Sequence, residues 1–259
     1  MIDHTNLKPY ATENDITKLC HEAIEHQFTA VCVNSSYVAH CLKQIDGADV
    51  EIAAVIGFPL GSCTTKAKTV ETEEAISMGA NEIDMVMNVG FFRNRNHDYV
   101  KNDIEEVVNA AGGAKVKVIL ETGYLTDEQI VKACKLTINT GANFVKTSTG
   151  FGPMGAFIDH VKLMRKTVDS NFGVKAAGGI RDAKTAVRMI NAGANRIGAS
   201  AGIKILDSLN KVIEEDSWFE ETEQEEETIY SWSAADPKKQ PKEVYDFYIE
   251  KRIQFYKCK

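Results

Sequence analysis

Two hydrophobic periods alternate along this chain, and that alternation limits its fold more than any other feature. Ile16, Leu19, Cys20, Ala23 and Ile24 fall at helical spacing. So do Ile104, Val107, Val108 and Ala111, then Ile130, Ala133, Cys134 and Ile138, then Ala183, Ala186, Val187 and Ile190. Each set makes one apolar stripe, the pattern of a helix laid over a sheet. Between the stripes lie short β-rich runs near residues 2–7, 30–34, 51–58, 82–88, 115–121, 144–147, 173–177 and 196–199. Several, such as Ile52-Ala53-Ala54-Val55-Ile56, are almost continuously apolar, as strands covered on both faces are. Strand and helix in strict alternation imply a parallel sheet. One triplet recurs at the joints: Gly79-Ala80-Asn81, Gly141-Ala142-Asn143 and Gly193-Ala194-Asn195 each stand between a helical stripe and a strand. Glycine there can take the left-handed conformation that stops a helix. Eight strands predict an α/β fold of the closed (β/α)8 kind, a TIM barrel, and 259 residues match the roughly 250 such a barrel needs. An open doubly wound sheet is the alternative, but no G-x-G-x-x-G opens the chain.

The alternation stops near Val212. An acidic stretch from Glu214 to Glu227 and a polar turn at Ala235-Asp236-Pro237-Lys238-Lys239 follow. A last helix is expected over 242–257, with Tyr245, Tyr248, Ile249, Ile253 and Tyr256 on one face that can dock on the barrel or on a neighbouring subunit. The chain thus divides into a barrel domain, 1–212, and an acidic linker with a C-terminal helical extension, 213–259. A homodimer is one assembly this face would serve.

The net charge of -7 argues against a nucleic-acid partner, since phosphate backbones attract basic patches. No apolar run approaches the ~20 residues that span a membrane. The polar start, Met1-Ile2-Asp3-His4-Thr5, lacks the apolar segment of a signal peptide, so a cytoplasmic protein is expected. The six cysteines are scattered without a C-x-x-C pair and read as small buried hydrophobes in a reducing compartment. His21 and His26 are five residues apart, whereas the zinc motif H-E-x-x-H needs four; no metal site is expected.

Three lysines lie where apolar residues belong: Lys117 in Val116-Lys117-Val118-Ile119-Leu120, Lys146 in Phe144-Val145-Lys146-Thr147, and Lys175 in Val174-Lys175-Ala176-Ala177. They fall on the fifth, sixth and seventh strands. Neighbouring strands are ~4.8 Å apart, so inward-pointing side chains would cluster. Burying an unpaired ammonium is costly, and exposure at strand ends is the alternative. A lysine attacks a carbonyl only when neutral, and its free pKa is about 10.4. A nearby cation lowers that value, and Lys175 is placed to do so for Lys146. The imine so formed is an electron sink. Asp84, in the apolar run Ile83-Asp84-Met85-Val86, would point inward with Glu82 and could shuttle protons through water; it would also serve as a salt-bridge partner.

The loops after strands seven and eight of such barrels often bind phosphate. Here they read Ala177-Gly178-Gly179-Ile180 and Gly198-Ala199-Ser200-Ala201-Gly202, and Thr149-Gly150-Phe151-Gly152 follows strand six. Small residues let backbone N–H groups approach an anion, and a following helix N-terminus favours negative charge.

These stretches together resemble the deoxyribose-phosphate aldolases. The resemblance runs through Ile2-Asp3-His4-Thr5-Asn6-Leu7-Lys8-Pro9, Ala30-Val31-Cys32-Val33-Asn34, Val55-Ile56-Gly57-Phe58-Pro59-Leu60-Gly61 and Glu82-Ile83-Asp84-Met85-Val86. It continues through Lys117-Val118-Ile119-Leu120-Glu121-Thr122, Lys146-Thr147-Ser148-Thr149-Gly150-Phe151 and Lys175-Ala176-Ala177-Gly178-Gly179-Ile180-Arg181. It covers about residues 1–212 and implies a class I aldolase of deoxyribose phosphate catabolism. Such an enzyme reversibly cleaves 2-deoxy-D-ribose 5-phosphate to D-glyceraldehyde 3-phosphate and acetaldehyde, without metal or organic cofactor. By the family pattern Lys146 forms the imine, Lys175 perturbs it and moves protons, and Asp84 works with a water. Asp3, Thr5, Cys32, Lys117, Thr149, Gly150, Gly178, Gly179, Gly198 and Ser200 are the expected substrate-binding set. Some members use a tail ending in tyrosine for proton transfer, a role open to Tyr256. Two rivals stand beside this reading: another lysine-imine enzyme, such as a transaldolase or keto-acid aldolase, and a silent barrel that binds partners through its tail.

Overall fold

The computed structural model describes residues 1–214. The acidic linker, the tail helix and Tyr256 lie outside them. Eight parallel strands close into a barrel in chain order: β1 (Ile2–Asn6), β2 (Ala30–Asn34), β3 (Glu51–Ile56), β4 (Glu82–Val86), β5 (Lys115–Ile119), β6 (Phe144–Lys146), β7 (Gly173–Ala177) and β8 (Arg196–Ala199), with β8 pairing β1. The helices are α1 (Glu13–Glu25), α2 (Val38–Gln44), α3 (Thr65–Ser77), α4 (Val89–Arg93), α5 (His97–Ala110), α6 (Asp127–Ile138), α7 (Ile158–Thr167), α8 (Ala183–Asn191) and α9 (Gly202–Glu214).

The repeated Gly-Ala-Asn triplet builds the lower joints of the barrel. Gly79, Gly141 and Gly193 have φ of 109°, 81° and 108°, a region closed to most L-residues. The asparagine that follows then clamps the preceding strand from both sides. Asn81 donates its N–H to the Ile52 carbonyl at 2.9 Å, and its side-chain oxygen accepts the Ile52 N–H at 2.9 Å. Asn143 does the same with Val116, at 2.8 Å and 2.8 Å, and Asn195 with Val174, at 3.0 Å and 2.9 Å. Each satisfies a backbone donor that would otherwise be orphaned at the barrel floor.

The two faces of the sheet are chemically different. The outward side chains, among them Val31, Ile52, Ile83, Val118, Val145, Val174 and Ile197, join the buried helix stripes in one large apolar core. Burying each is worth about 1.5–3 kcal/mol relative to exposure. On the inward face Leu7, Ala30, Cys32, Ala53 and Val55 form a small separate cluster. The rest of the interior is charged, with Asp3, Glu82, Asp84, Lys117, Lys146, Lys175 and Arg196 all buried.

Three strands have the bounds expected from sequence: β2, β7 and β8. The other five stop one or two residues sooner at the C-terminal end. The chain turns out of the sheet there to build the mouth: Gly57 has φ 61°, Glu121 has φ 52°, and the Asn88 side chain caps α4.

Candidate active site

The strand register decides which charged side chains meet. Asp84 lies opposite Lys117, and Lys146 lies opposite Lys175, whereas Ile119, two residues past Lys117, is the β5 partner of Lys146. Lys146 and Lys175 therefore stand side by side one level nearer the mouth than Lys117. The acid fills the space between the three. Asp84 Oδ1 accepts from Lys117 Nζ at 2.8 Å, and Oδ2 accepts from both Lys146 and Lys175 at 2.7 Å. The network continues downward. Lys175 also binds Asp3, Lys117 binds Glu82 at 2.6 Å, and Arg196 bridges Asp3 at 2.7 Å and Glu82 at 3.2 Å.

Charge and burial compete throughout. Burial alone would raise the pKa of Asp84, but the ammonium groups of Lys117, Lys146 and Lys175 outweigh it and hold the carboxyl well below its ordinary range. Burial would lower the pKa of Lys175; Asp3 and Asp84 overcome that and keep it raised. Lys175 is thus a fixed cation. Four buried cations, Lys117, Lys146, Lys175 and Arg196, face three buried carboxylates, Asp3, Glu82 and Asp84. Lys117, Lys175 and Arg196 each contact two of these carboxylates, whereas Lys146 contacts Asp84 alone. A proton leaving Lys146 breaks the fewest ion pairs.

Above this cluster opens a cavity of about 780 Å³. Lys146 is the only lysine of the buried cluster on its wall; Thr5, Thr149, Gly150, Gly178, Gly179, Gly198 and Ser200 line it as well. Gly150, Gly178 and Gly179 all have positive φ, at 84°, 92° and 80°. A methyl group on Gly198 would sit 3.0 Å from Lys175 Cε, so this glycine leaves the lysine its room. Lys8, Lys18, Arg181 and Lys204 add positive charge at the rim. The first turn of α8 does not offer a free anion site: Thr185 N–H is taken by Asp182 at 2.7 Å and Ala183 N–H by Ser208 at 2.9 Å. The glycines and the start of α9 carry that end of the cavity.

Residues 1–208 match the DeoC/LacD family aldolase. The chain belongs to this family. One relative, a deoxyribose-phosphate aldolase from Thermoanaerobacter pseudethanolicus, is 56% identical over 215 residues, which span 82% of this chain and 96% of that one. Another, from Clostridium tetani, is 58% identical over 207 residues, 80% of this chain and 96% of its own. Among solved structures, a tetrameric deoxyribose-phosphate aldolase from Aeropyrum pernix superposes with a TM-score of 0.77 at 33% identity, covering 82% of this chain and 90% of that one.

Against this family frame the sequence-derived residues separate into two tiers. Lys146, Thr5, Thr149, Gly150, Gly178, Gly179, Gly198 and Ser200 face the cavity. Asp3, Cys32, Asp84, Lys117 and Lys175 are fully buried behind Lys146, so any influence on substrate passes through Lys146 or a water. Burial raises the pKa of Cys32, and it packs as a small apolar side chain with Ala30 and Ala53.

Three further charged residues belong to the site. Glu82 and Arg196 form the lower part of the network. Their signal was in the sequence: Glu82 shares the inward face with Asp84, and Arg196 opens an otherwise apolar strand. The third is Glu121, two residues past the end of β5. Its Oε2 accepts the Thr149 N–H at 3.1 Å and the Thr149 hydroxyl. Its Oε1 is buried with no partner among the described residues. Burial pushes its pKa up. Nothing in local sequence spacing links residue 121 to residue 149. Among the described residues no cluster of His, Cys, Asp and Glu could hold a metal ion.

Proposed function

We propose that this protein is a class I aldolase that reversibly cleaves 2-deoxy-D-ribose 5-phosphate to D-glyceraldehyde 3-phosphate and acetaldehyde, with Lys146 as the imine-forming amine. The observation that carries this is the position of Lys146. It alone among the buried lysines of the described residues reaches the cavity, and it does so beside the fixed cation Lys175. Relatives more than half identical over four-fifths of the chain carry the name of this activity.

The chemistry follows from the arrangement. Neutral Lys146 adds to the aldehyde carbon of the open-chain sugar, and the adduct takes up one proton relayed through water and loses water to give the protonated imine. A base takes the proton of the 3-hydroxyl, the bond between carbons 2 and 3 breaks, and its electrons move into the imine. Glyceraldehyde 3-phosphate leaves, and the remaining enamine is protonated at carbon 2 and hydrolysed to acetaldehyde. Fixed charge beside the amine acts before the first step, and proton transfer governs the later ones. Lys175 and Asp84 hold the amine in place and pass protons to the cavity through water. The glycines at 150, 178, 179 and 198, with Thr5, Thr149 and Ser200, receive the phosphate and hydroxyl groups. Asp3, Lys117 and Cys32 brace the cluster from behind.

The small-molecule substrates are the partners this site is built for. No described helix is long and apolar enough to cross a membrane. The reading includes a cytoplasmic setting, supported by five free cysteines among the described residues, which suit a reducing compartment. It also includes a homodimer, which light scattering would test against the tetramer of the Aeropyrum relative. The barrel domain is taken as 1–212, with 213–259 as a separate tail.

The test is a coupled assay for glyceraldehyde 3-phosphate on 2-deoxyribose 5-phosphate, with the reverse reaction run from acetaldehyde, pyruvate or dihydroxyacetone phosphate as donor. Turnover with acetaldehyde alone is expected. Preference for pyruvate or dihydroxyacetone phosphate would move the protein to another lysine-imine class. A folded protein inactive with all three would leave a binding scaffold.

A further inference from the structure

The lower half of the barrel interior holds an ion network that does not line the cavity. Glu82 is its centre. Its Oε2 takes Lys117 at 2.6 Å and Arg196 at 3.2 Å, and its Oε1 takes Arg196 at 3.2 Å and the half-exposed Lys115 at 3.3 Å. Arg196 and Lys117 both stand over the Phe144 ring, at 5.6 Å and 5.9 Å from its centre. Keeping four charged side chains here costs desolvation, and apolar residues of similar volume would often be as stable. Stability therefore does not explain the network well.

Its connections suggest another use. Lys117 carries Glu82 to Asp84, and Asp84 contacts Lys146. Arg196 reaches Asp3, which contacts Lys175. Each lower charge is thus joined through a single buried residue to a group beside Lys146.

We infer that Glu82 and Arg196 are positioning residues that set, by their opposite charges, how readily Lys146 gives up its proton. This rests on Lys146 being the imine-forming amine. The cluster as a whole has one cation more than it has carboxylates. Removing Glu82 raises that excess, and removing Arg196 cancels it. Among the described residues, the other titratable groups that face Lys146 are Asp84 from β4, Lys175 from β7, Cys32 from β2 and Glu121 beyond β5. None of them changes in either variant. Charges ~8 Å apart at an effective dielectric near 20 shift a proton equilibrium by about one and a half pH units.

The experiment is the pH dependence of kcat/KM for cleavage of 2-deoxyribose 5-phosphate, whose acidic limb follows deprotonation of the free enzyme's amine. Glu82→Gln should move that limb down by about one and a half pH units, and Arg196→Gln should move it up by about as much. Arg196→Lys, which keeps the charge, and the double variant Glu82→Gln/Arg196→Gln should leave it near its original place. Both single variants lose buried contacts, so a purely structural role would shift both in the same direction or neither. Lys115→Glu, at a half-exposed site on the barrel floor, covers the case in which the buried variants do not fold; it should raise the limb by a few tenths of a pH unit. A limb unmoved in every variant that folds, or moved in one direction by both neutral substitutions, overturns the inference. Borohydride trapping on the unaltered protein separates the two levels. No adduct on Lys146 refutes the imine assignment itself, whereas an adduct with immobile limbs refutes only the role of Glu82 and Arg196.

Discussion

Replacing Lys175 by methionine should move the acidic limb of the pH–rate profile upward by about two units. Lys146 and Lys175 both donate to one oxygen of Asp84 at 2.7 Å, so their nitrogens are at most twice that distance apart. Two like charges ~5 Å apart at an effective dielectric of ~20 repel by on the order of 3 kcal/mol, or about two pH units. Lys175 stays charged because Asp3 and Asp84 outweigh its burial. Its removal makes the protonated form of Lys146 cheaper to keep. Below the limb kcat/KM should fall about 100-fold, with the loss recovered above the shifted limb. The substitution also takes one cation from Asp3, which keeps Arg196, and one from Asp84, which keeps Lys117 and Lys146, and breaking a buried pair costs about 3–5 kcal/mol, so circular dichroism and thermal melting must first establish that the variant folds. The assay is kcat/KM from pH 5 to 10. A folded Lys175→Met protein whose activity drops equally at every pH would refute the electrostatic role and leave Lys175 as a proton carrier only.

Three other outcomes follow from the same contacts. Asp84, Asp3 and Glu82 have pKa values held below normal by the cations around them, so the stability they add is complete above the unfolded values near 4 and is lost as the pH falls further; melting from pH 6 to 2 should show this, and Asp84→Asn should take up about one proton fewer on unfolding in acid. Glu121→Ala removes the one oxygen that accepts both Thr149 hydrogen bonds and should raise KM about tenfold while changing kcat little, since hydrogen bonds to charged groups are worth about 1.5–3 kcal/mol; equal losses in both parameters would argue against a substrate-loop role. Asp103→Asn breaks the fully buried pair with Lys68, remote from the cavity, and should lower the melting temperature by about 10 °C with kcat/KM nearly unchanged.

The parts of this fold that could be read in the sequence are those where one local rule acts alone. The stripes of α1, α5, α6 and α8 are apolar and periodic, and the Gly-Ala-Asn joints repeat. Helix α3 shows no such stripe because three of its four buried positions are Lys68, Thr69 and Thr72. Lys68 is acceptable there only because Asp103, on α5, and the Val86 carbonyl receive it, and no local window contains those partners. The same reasoning covers the site. Lys117, Lys146 and Lys175 stood out because an ammonium in an apolar strand needs an explanation. Asp84 could be paired with them by alternation, but its place beneath Lys146 depends on the stagger between β5 and β6. Glu121 holds a loop 28 residues away, and only the closed barrel brings the two together.

The most direct test of the account is borohydride reduction of the protein in the presence of acetaldehyde, followed by peptide mass mapping. The account predicts a reduced two-carbon adduct on Lys146 and on no other lysine of the cluster, absent from Lys146→Ala. An adduct on Lys175 or Lys117 instead, or none on a folded and active protein, would contradict it.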